Sequence, residues 1–167
     1  CELVNLADLD TGSEKVRDTI AAYLNDLTEL GVAGVRIDAA KHMSATDVEA
    51  IVGRLDGEPL IISEGIRGGG EPIQPEDSLA AGAVFAFQVA KDISGLVPGG
   101  AIAKALELRD GEVPSEQAFT FITNHDTERN GQTLTSKDGD QFRVATALLL
   151  GIDYGTPVVY SGYSFSD

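Results

Sequence analysis

Three apolar runs in this chain each lead straight to a carboxylate. Val32-Ala33-Gly34-Val35-Arg36-Ile37 ends at Asp38, and Pro59-Leu60-Ile61-Ile62-Ser63 ends at Glu64. Ala118-Phe119-Thr120-Phe121-Ile122-Thr123 runs into Asn124-His125-Asp126. Short, nearly continuous apolar stretches read as strands buried on both faces, the habit of parallel sheets covered by helices. Helical patterns lie between them. Thr11 and Glu14 have capping-box spacing, which predicts a helix starting near Ser13. Val16, Ile20, Tyr23, Leu24, Leu27 and Leu30 then share one stripe, and Gly31 ends it. Thr46 and Glu49 repeat the spacing and open a helix to about Leu55. Residues 83–89 read as a further strand, 100–108 as a helix, 141–150 as another helix and 157–160 as a fifth strand.

Strands that alternate with helices imply parallel βα units. In a (β/α)8 barrel the C-terminal ends of the strands carry the active site, which is where the three acids fall. Five strands cannot close such a barrel, whose usual length is about 250 residues. The 167 residues are therefore expected to form an α/β fold that is a partial (β/α)8 TIM barrel. No Gly-x-Gly-x-x-Gly follows the first strand, and no Walker loop is present. Gly68-Gly69-Gly70 lies well past a strand end without a following Lys-Ser or Lys-Thr, so it reads as a surface loop within the Gly- and Pro-rich residues 65–83.

Composition narrows the partners. The formal charge is −15, from 27 acidic and 12 basic residues. Phosphate recognition needs clustered Lys and Arg, so a nucleic-acid partner is not expected. The same sign disfavours anionic membrane surfaces, and no apolar run reaches the roughly 18 residues of a membrane span. A neutral sugar is compatible. The single Cys1 is either a reduced thiol or half of a disulfide.

Carboxylates converging from separate strands suggest glycoside hydrolysis, which needs one acid/base and one nucleophile or base. An isolated acid at a strand end is ordinarily a loop carboxylate. Three in successive parallel units, each beside Lys, Arg or His, are not so easily dismissed. Two His and one Cys leave little for a zinc or iron site, whereas oxygen ligands such as Asp8 suit calcium.

These residues also carry a family resemblance. Gly34-Val35-Arg36-Ile37-Asp38-Ala39-Ala40-Lys41-His42-Met43 resembles the strand-four motif of the α-amylase family, glycoside hydrolase family 13, in its animal and actinobacterial branch. Ser63-Glu64-Gly65 occupies the place of the strand-five motif, although its neighbours differ from the common Gln-Glu-Val. Phe121-Ile122-Thr123-Asn124-His125-Asp126-Thr127-Glu128-Arg129 resembles the strand-seven motif. Gly69-Gly70-Glu71-Pro72-Ile73 and Leu3-Val4-Asn5-Leu6-Ala7-Asp8-Leu9 look like further segments of that branch, in the same order.

The resemblance implies that residues 1–167 are a partial catalytic domain, from the end of the loop domain (domain B) through strand eight. Strands one to three, most of the loop domain and a C-terminal β-domain are absent. It implies endo-hydrolysis of α-1,4-glucosidic bonds in starch by a retaining double displacement. Asp38 would be the nucleophile, Glu64 the acid/base and Asp126 the transition-state stabiliser. Arg36 would keep Asp38 ionised by proximity. Lys41, His42 and His125 would bind substrate. Asp8 and the backbone carbonyl of His42 match ligands of a structural calcium ion. Arg36 and Asn124 match two of three chloride ligands, but Val158 stands at the place of the second Arg, so chloride activation is not expected. Another α-glucan specificity within the family, or a fragment inactive by itself, is the alternative.

Cys1 aligns in that branch with a disulfide-forming Cys whose partner lies earlier in the chain. This implies an extracellular protein whose signal peptide lies outside this sequence. The substrates would be starch and maltooligosaccharides, and the complete protein would be a monomer.

Overall fold

The computed structural model describes residues 6–108 and 113–162. The expectations for Cys1 and for Leu3-Val4-Asn5 lie outside the described residues. The chain divides into two compact units, Cys1–Val84 and Phe85–Asp167.

The first unit begins with α1 (Glu14–Glu29), followed by β1 (Gly34–Ile37), α2 (Ala45–Val52), β2 (Leu60–Ser63) and β3 (Ala83–Phe85), whose last residue opens the second unit. β1 and β2 are parallel, in register from Gly34 opposite Leu60 to Ile37 opposite Ser63. β2 and β3 are parallel as well, with Ile62 opposite Ala83 and Ser63 opposite Val84. The pairing extends one residue past the strand, because the Glu64 N–H donates to the Ile37 carbonyl at 2.9 Å. Gly34 is required by close approach: a Cβ there would lie 2.6 Å from the Leu60 carbonyl oxygen.

The first helix starts where the sequence places it, and the second starts at Ala45, with Thr46 inside it and not at its cap. Ser13 precedes α1 without a side-chain cap bond. Thr11 instead donates to Asp47 Oδ2 at 2.9 Å, and Glu14 pairs with Arg17 and Arg54. Tertiary partners have outcompeted the local capping box. In α2 the N-cap is Ser44, whose hydroxyl meets Thr46 Oγ1 at 2.7 Å, and the helix ends at Val52 with turns continuing to Leu55. Val16, Ile20, Leu24 and Leu27 form the half-buried stripe of α1. Tyr23 and Leu30 do not join it, being 60% and 83% exposed.

The second unit contains α3 (Phe87–Leu96), β4 (Ala118–Thr120), α4 (Thr127–Asn130), α5 (Asp140–Gly151) and β5 (Thr156–Pro157). β4 and β5 are parallel, with Phe119 opposite Thr156 and Thr120 opposite Pro157. The strand expected over 83–89 stops at Phe85, and Phe87-Gln88-Val89 instead open α3. Val89, Ala90 and Ile93 bury one helical face, and Gln88 donates to Asp92, one turn on, at 2.7 Å. The expected helix at 100–108 is a 3₁₀ segment, Ile102–Glu107. β4 ends at Thr120, so Phe121, Ile122 and Thr123 are buried without being strand. β5 is likewise shorter than expected, although the Val158 N–H still donates to the Thr120 carbonyl at 2.7 Å. Among the described residues no helix is long and apolar enough to cross a membrane.

The core of this unit contains an aromatic cluster. Phe85 meets Phe119 and Phe121 edge-on at 6.2 and 6.1 Å, and Phe87 meets Phe121 at 4.9 Å. Such edge-to-face pairs contribute about 0.5–1.5 kcal/mol each beyond burial.

Candidate active site

The first unit brings three of the expected residues together. Arg36 and Asp38 are two apart along an extended segment and so share a face. Arg36 Nη1 lies 2.5 Å from Asp38 Oδ1, and Arg36 Nη2 lies 3.0 Å from Glu64 Oε1. One planar guanidinium thus serves both carboxylates, a task suited to its fixed fork. The other oxygen of Glu64 accepts the Ala39 N–H at 2.8 Å. Ala39 can present that N–H because it turns left-handed, with φ 49°. It is the only non-glycine residue at positive φ among the described residues, a conformation that costs an L-residue about 1–2 kcal/mol.

The two acids differ in exposure. The Glu64 side chain is 12% exposed and the Asp38 side chain 73%. A half-buried carboxyl with both oxygens bonded is held in one position, and an exposed one beside it is open to an incoming ligand.

Lys41 follows in the 3₁₀ turn Ala40–His42. Its ammonium is held by both oxygens of Glu71, at 3.0 and 2.9 Å. Glu71 belongs to the loop after β2, and Gln74 Nε2 ties that loop together by donating to the carbonyls of Gly68 and Glu71 at 3.0 and 2.8 Å. His42 is half-buried and Asp8 exposed. No group of three or more His, Cys, Asp or Glu side chains that could hold a metal occurs among the described residues. A calcium ion takes 6–8 oxygen ligands. Asp8 and a backbone carbonyl have the right chemistry, but they do not make a complete site.

In the second unit Asn124, His125 and Asp126 form the turn into α4. The His125 and Asp126 side chains are both exposed, with Nε2 and Oδ2 3.4 Å apart. Asn124 Oδ1 accepts the N–H groups of Asp126 and Thr127 at 3.0 and 2.8 Å. Thr127 Oγ1 returns a bond by accepting the Asn124 N–H at 2.9 Å. The next residue, Glu128, is buried, and its Oε1 has no hydrogen-bond partner. Val158, half-buried and just past β5, carries no charge.

Sequence reasoning did not anticipate the contacts that Ala39, Glu71 and Thr127 make. Nothing in an alanine signals a left-handed turn. A Lys–Glu pair 30 residues apart has no local signature. Thr127 carried a signal, since Asn and Thr three apart can cap each other reciprocally.

Parallel strand–helix units with acids at the strand ends define this chain as α/β with the architecture of a partial barrel, and the comparisons agree. No family model matches the chain. It is 45% identical over 170 residues to an α-amylase from Streptomyces violaceus, covering all of this chain and 30% of that protein. It is 44% identical over 174 residues to an α-amylase from Thermomonospora curvata, covering 99% of this chain and 28% of that protein. The crystal structure of α-amylase I from Eisenia fetida superposes with a TM-score of 0.90 at 32% identity, over 99% of this chain and 38% of that one. The chain therefore belongs to the α-amylase family and corresponds to part of its catalytic domain. It spans about a third of the length of these relatives.

Proposed function

We propose that the complete protein hydrolyses α-1,4-glucosidic bonds inside starch and related glucans with retention of anomeric configuration. The observation that carries this reading is the single Arg36 guanidinium bonded to both Asp38 and Glu64. A retaining hydrolase needs two carboxyl groups on one glycosidic bond, about 5–5.5 Å apart. Two acids that share one fork are held near each other, which supports this reading.

Asp38, the exposed member, attacks the anomeric carbon, and the bond to the leaving oxygen breaks. Glu64 gives that oxygen a proton. Water then attacks the anomeric carbon of this glycosyl ester, the bond to Asp38 breaks, and Glu64 takes up the proton of the water. Asp126 and His125 hydrogen-bond sugar hydroxyls and stabilise the transition state. Lys41 and His42 line the product side.

Asp8 and the His42 carbonyl contribute to a structural calcium ion completed by other parts of the protein, and no chemical step depends on it. Chloride is not required, because Val158 supplies no cation where the anion would need one. The protein acts outside the cell as a monomer, and the 167 residues alone are inactive.

The test is trapping of the covalent intermediate. A fluorinated maltosyl fluoride applied to the full-length protein should add one glycosyl mass to the peptide bearing Asp38. Label on another residue, or turnover unchanged in Asp38→Asn, would overturn the reading.

A further inference from the structure

We propose that Thr127 is a positioning residue for Asp126, acting through a closed ring of hydrogen bonds around the peptide groups of Asn124. This inference rests on the proposed hydrolase reading, in which Asp126 touches the sugar.

The Asp126 carboxylate is 53% exposed, and its ionic neighbour among the described residues, His125, stands at 3.4 Å. Side-chain contacts thus do little to aim it. Its direction is set by the backbone from 124 to 127. That backbone is fixed from both sides. Asn124 Oδ1 takes the N–H groups of Asp126 and Thr127, and Thr127 Oγ1 takes the N–H of Asn124. The Thr127 hydroxyl also lies 3.2 Å from Thr123 Oγ1. Thr123 Oγ1 in turn donates to the Asn124 carbonyl at 3.4 Å, and that carbonyl accepts the Glu128 N–H at 3.0 Å as well. Both polar groups of the Asn124 main chain are therefore tied through two threonines.

The ring is dry. Thr127 is 1% exposed and Thr123 3%, so water cannot replace a lost hydroxyl without opening the core. Removing the Thr127 hydroxyl leaves the Asn124 N–H without a partner, which favours a rotated peptide and a displaced Asp126 Cα. Displacement of a substrate-binding group by about 1 Å costs roughly a hundredfold in rate when it acts in the transition state.

The experiment uses the full-length protein with Thr127→Val, Thr127→Ser and Asp126→Asn, assayed on maltooligosaccharides below the melting temperature of each variant. Thr127→Val should lower kcat by roughly tenfold or more, with a smaller change in KM, because the loss is felt in the transition state. Thr127→Ser, which restores the acceptor, should recover most of it. Acarbose, a transition-state-like inhibitor, should lose more affinity for Thr127→Val than maltose does. Thr127→Ala gives the same readout if valine proves too disruptive to purify. A Val or Ala variant with wild-type kcat, a loss not rescued by serine, or equal weakening of acarbose and maltose would overturn the positioning role. Wild-type turnover in Asp126→Asn would instead remove the underlying reading.

Discussion

The main-chain N–H of Ala39 donates to Glu64 Oε2 at 2.8 Å across the loops that follow two adjacent parallel strands. The bond exists because Ala39 sits at φ 49° and ψ 33°. Ala39→Gly keeps the N–H and adopts this conformation without steric cost, so kcat/KM should stay within a few-fold of wild type. Ala39→Pro deletes the donor and fixes φ near −65°, so activity should fall by orders of magnitude. Steady-state kinetics on a soluble maltooligosaccharide separates the two outcomes.

Arg36 should tolerate no replacement. Lysine brings a point charge and cannot present two parallel donors to Asp38 and Glu64. Arg36→Lys is expected to lower kcat by roughly a hundredfold, and Arg36→Leu by more, since two neighbouring carboxylates then lack their shared cation. Equal activity of the lysine variant would show that bidentate geometry is unimportant.

Arg17 and Asp47 clamp α1 to α2, with Nη2 and Oδ1 2.5 Å apart and Thr11 donating to the same carboxylate. The hydrogen bond from Arg17, then that from Thr11, holds the Asp47 carboxyl below its ordinary value of 3.8. A depressed folded value means that the stabilisation is complete above pH 3.8 and is lost as pH falls through the lower folded value. The melting temperature of Asp47→Asn should therefore lie below wild type near neutral pH. The two should converge in acid, and a constant gap down to strongly acidic pH would contradict the clamp.

Lys41 and Glu71 form a half-exposed pair, so their coupling in a double-mutant cycle should be modest, below about 1 kcal/mol. The functional effect is expected in KM. Glu71→Gln releases the ammonium and should raise KM for long oligosaccharides more than for short ones. Identical KM changes for both lengths would remove Lys41 from the product side.

Ion dependence divides in two. Exhaustive dialysis against chloride-free buffer should leave the activity of the complete protein unchanged, whereas chelation of calcium should lower its melting temperature. Activity lost without chloride and regained on its return would contradict the reading of Val158.

Much of this was legible in the sequence. Apolar runs ending in Asp38 and Glu64 gave parallel strands with acids at their C-terminal ends, because burial on both faces writes itself as a continuous apolar stretch. Residues 83–89 misled for the same reason. A short apolar run is ambiguous between strand and buried helix, and only the burial of Val89, Ala90 and Ile93 on one helical face resolves it. The capping signal at Thr11 located the helix start yet not its chemistry, since Asp47 is 36 residues away. The shared Arg36 was half legible. Its face followed from strand periodicity, but its second bond, to Glu64, depends on the register of β1 against β2. Ala39 was invisible, because what matters there is a torsion angle and not a side chain.

The phenylalanine cluster has a practical use. The chain contains no tryptophan, so one introduced at Phe87 would be the sole indole in these 167 residues. Excited selectively at the red edge of its absorption, where Tyr23 of the first unit does not absorb, it would report burial in the second unit by its emission. Loss of that signal under denaturant, compared with loss of the Arg17–Asp47 clamp, would show whether the two halves of the chain unfold together or in turn.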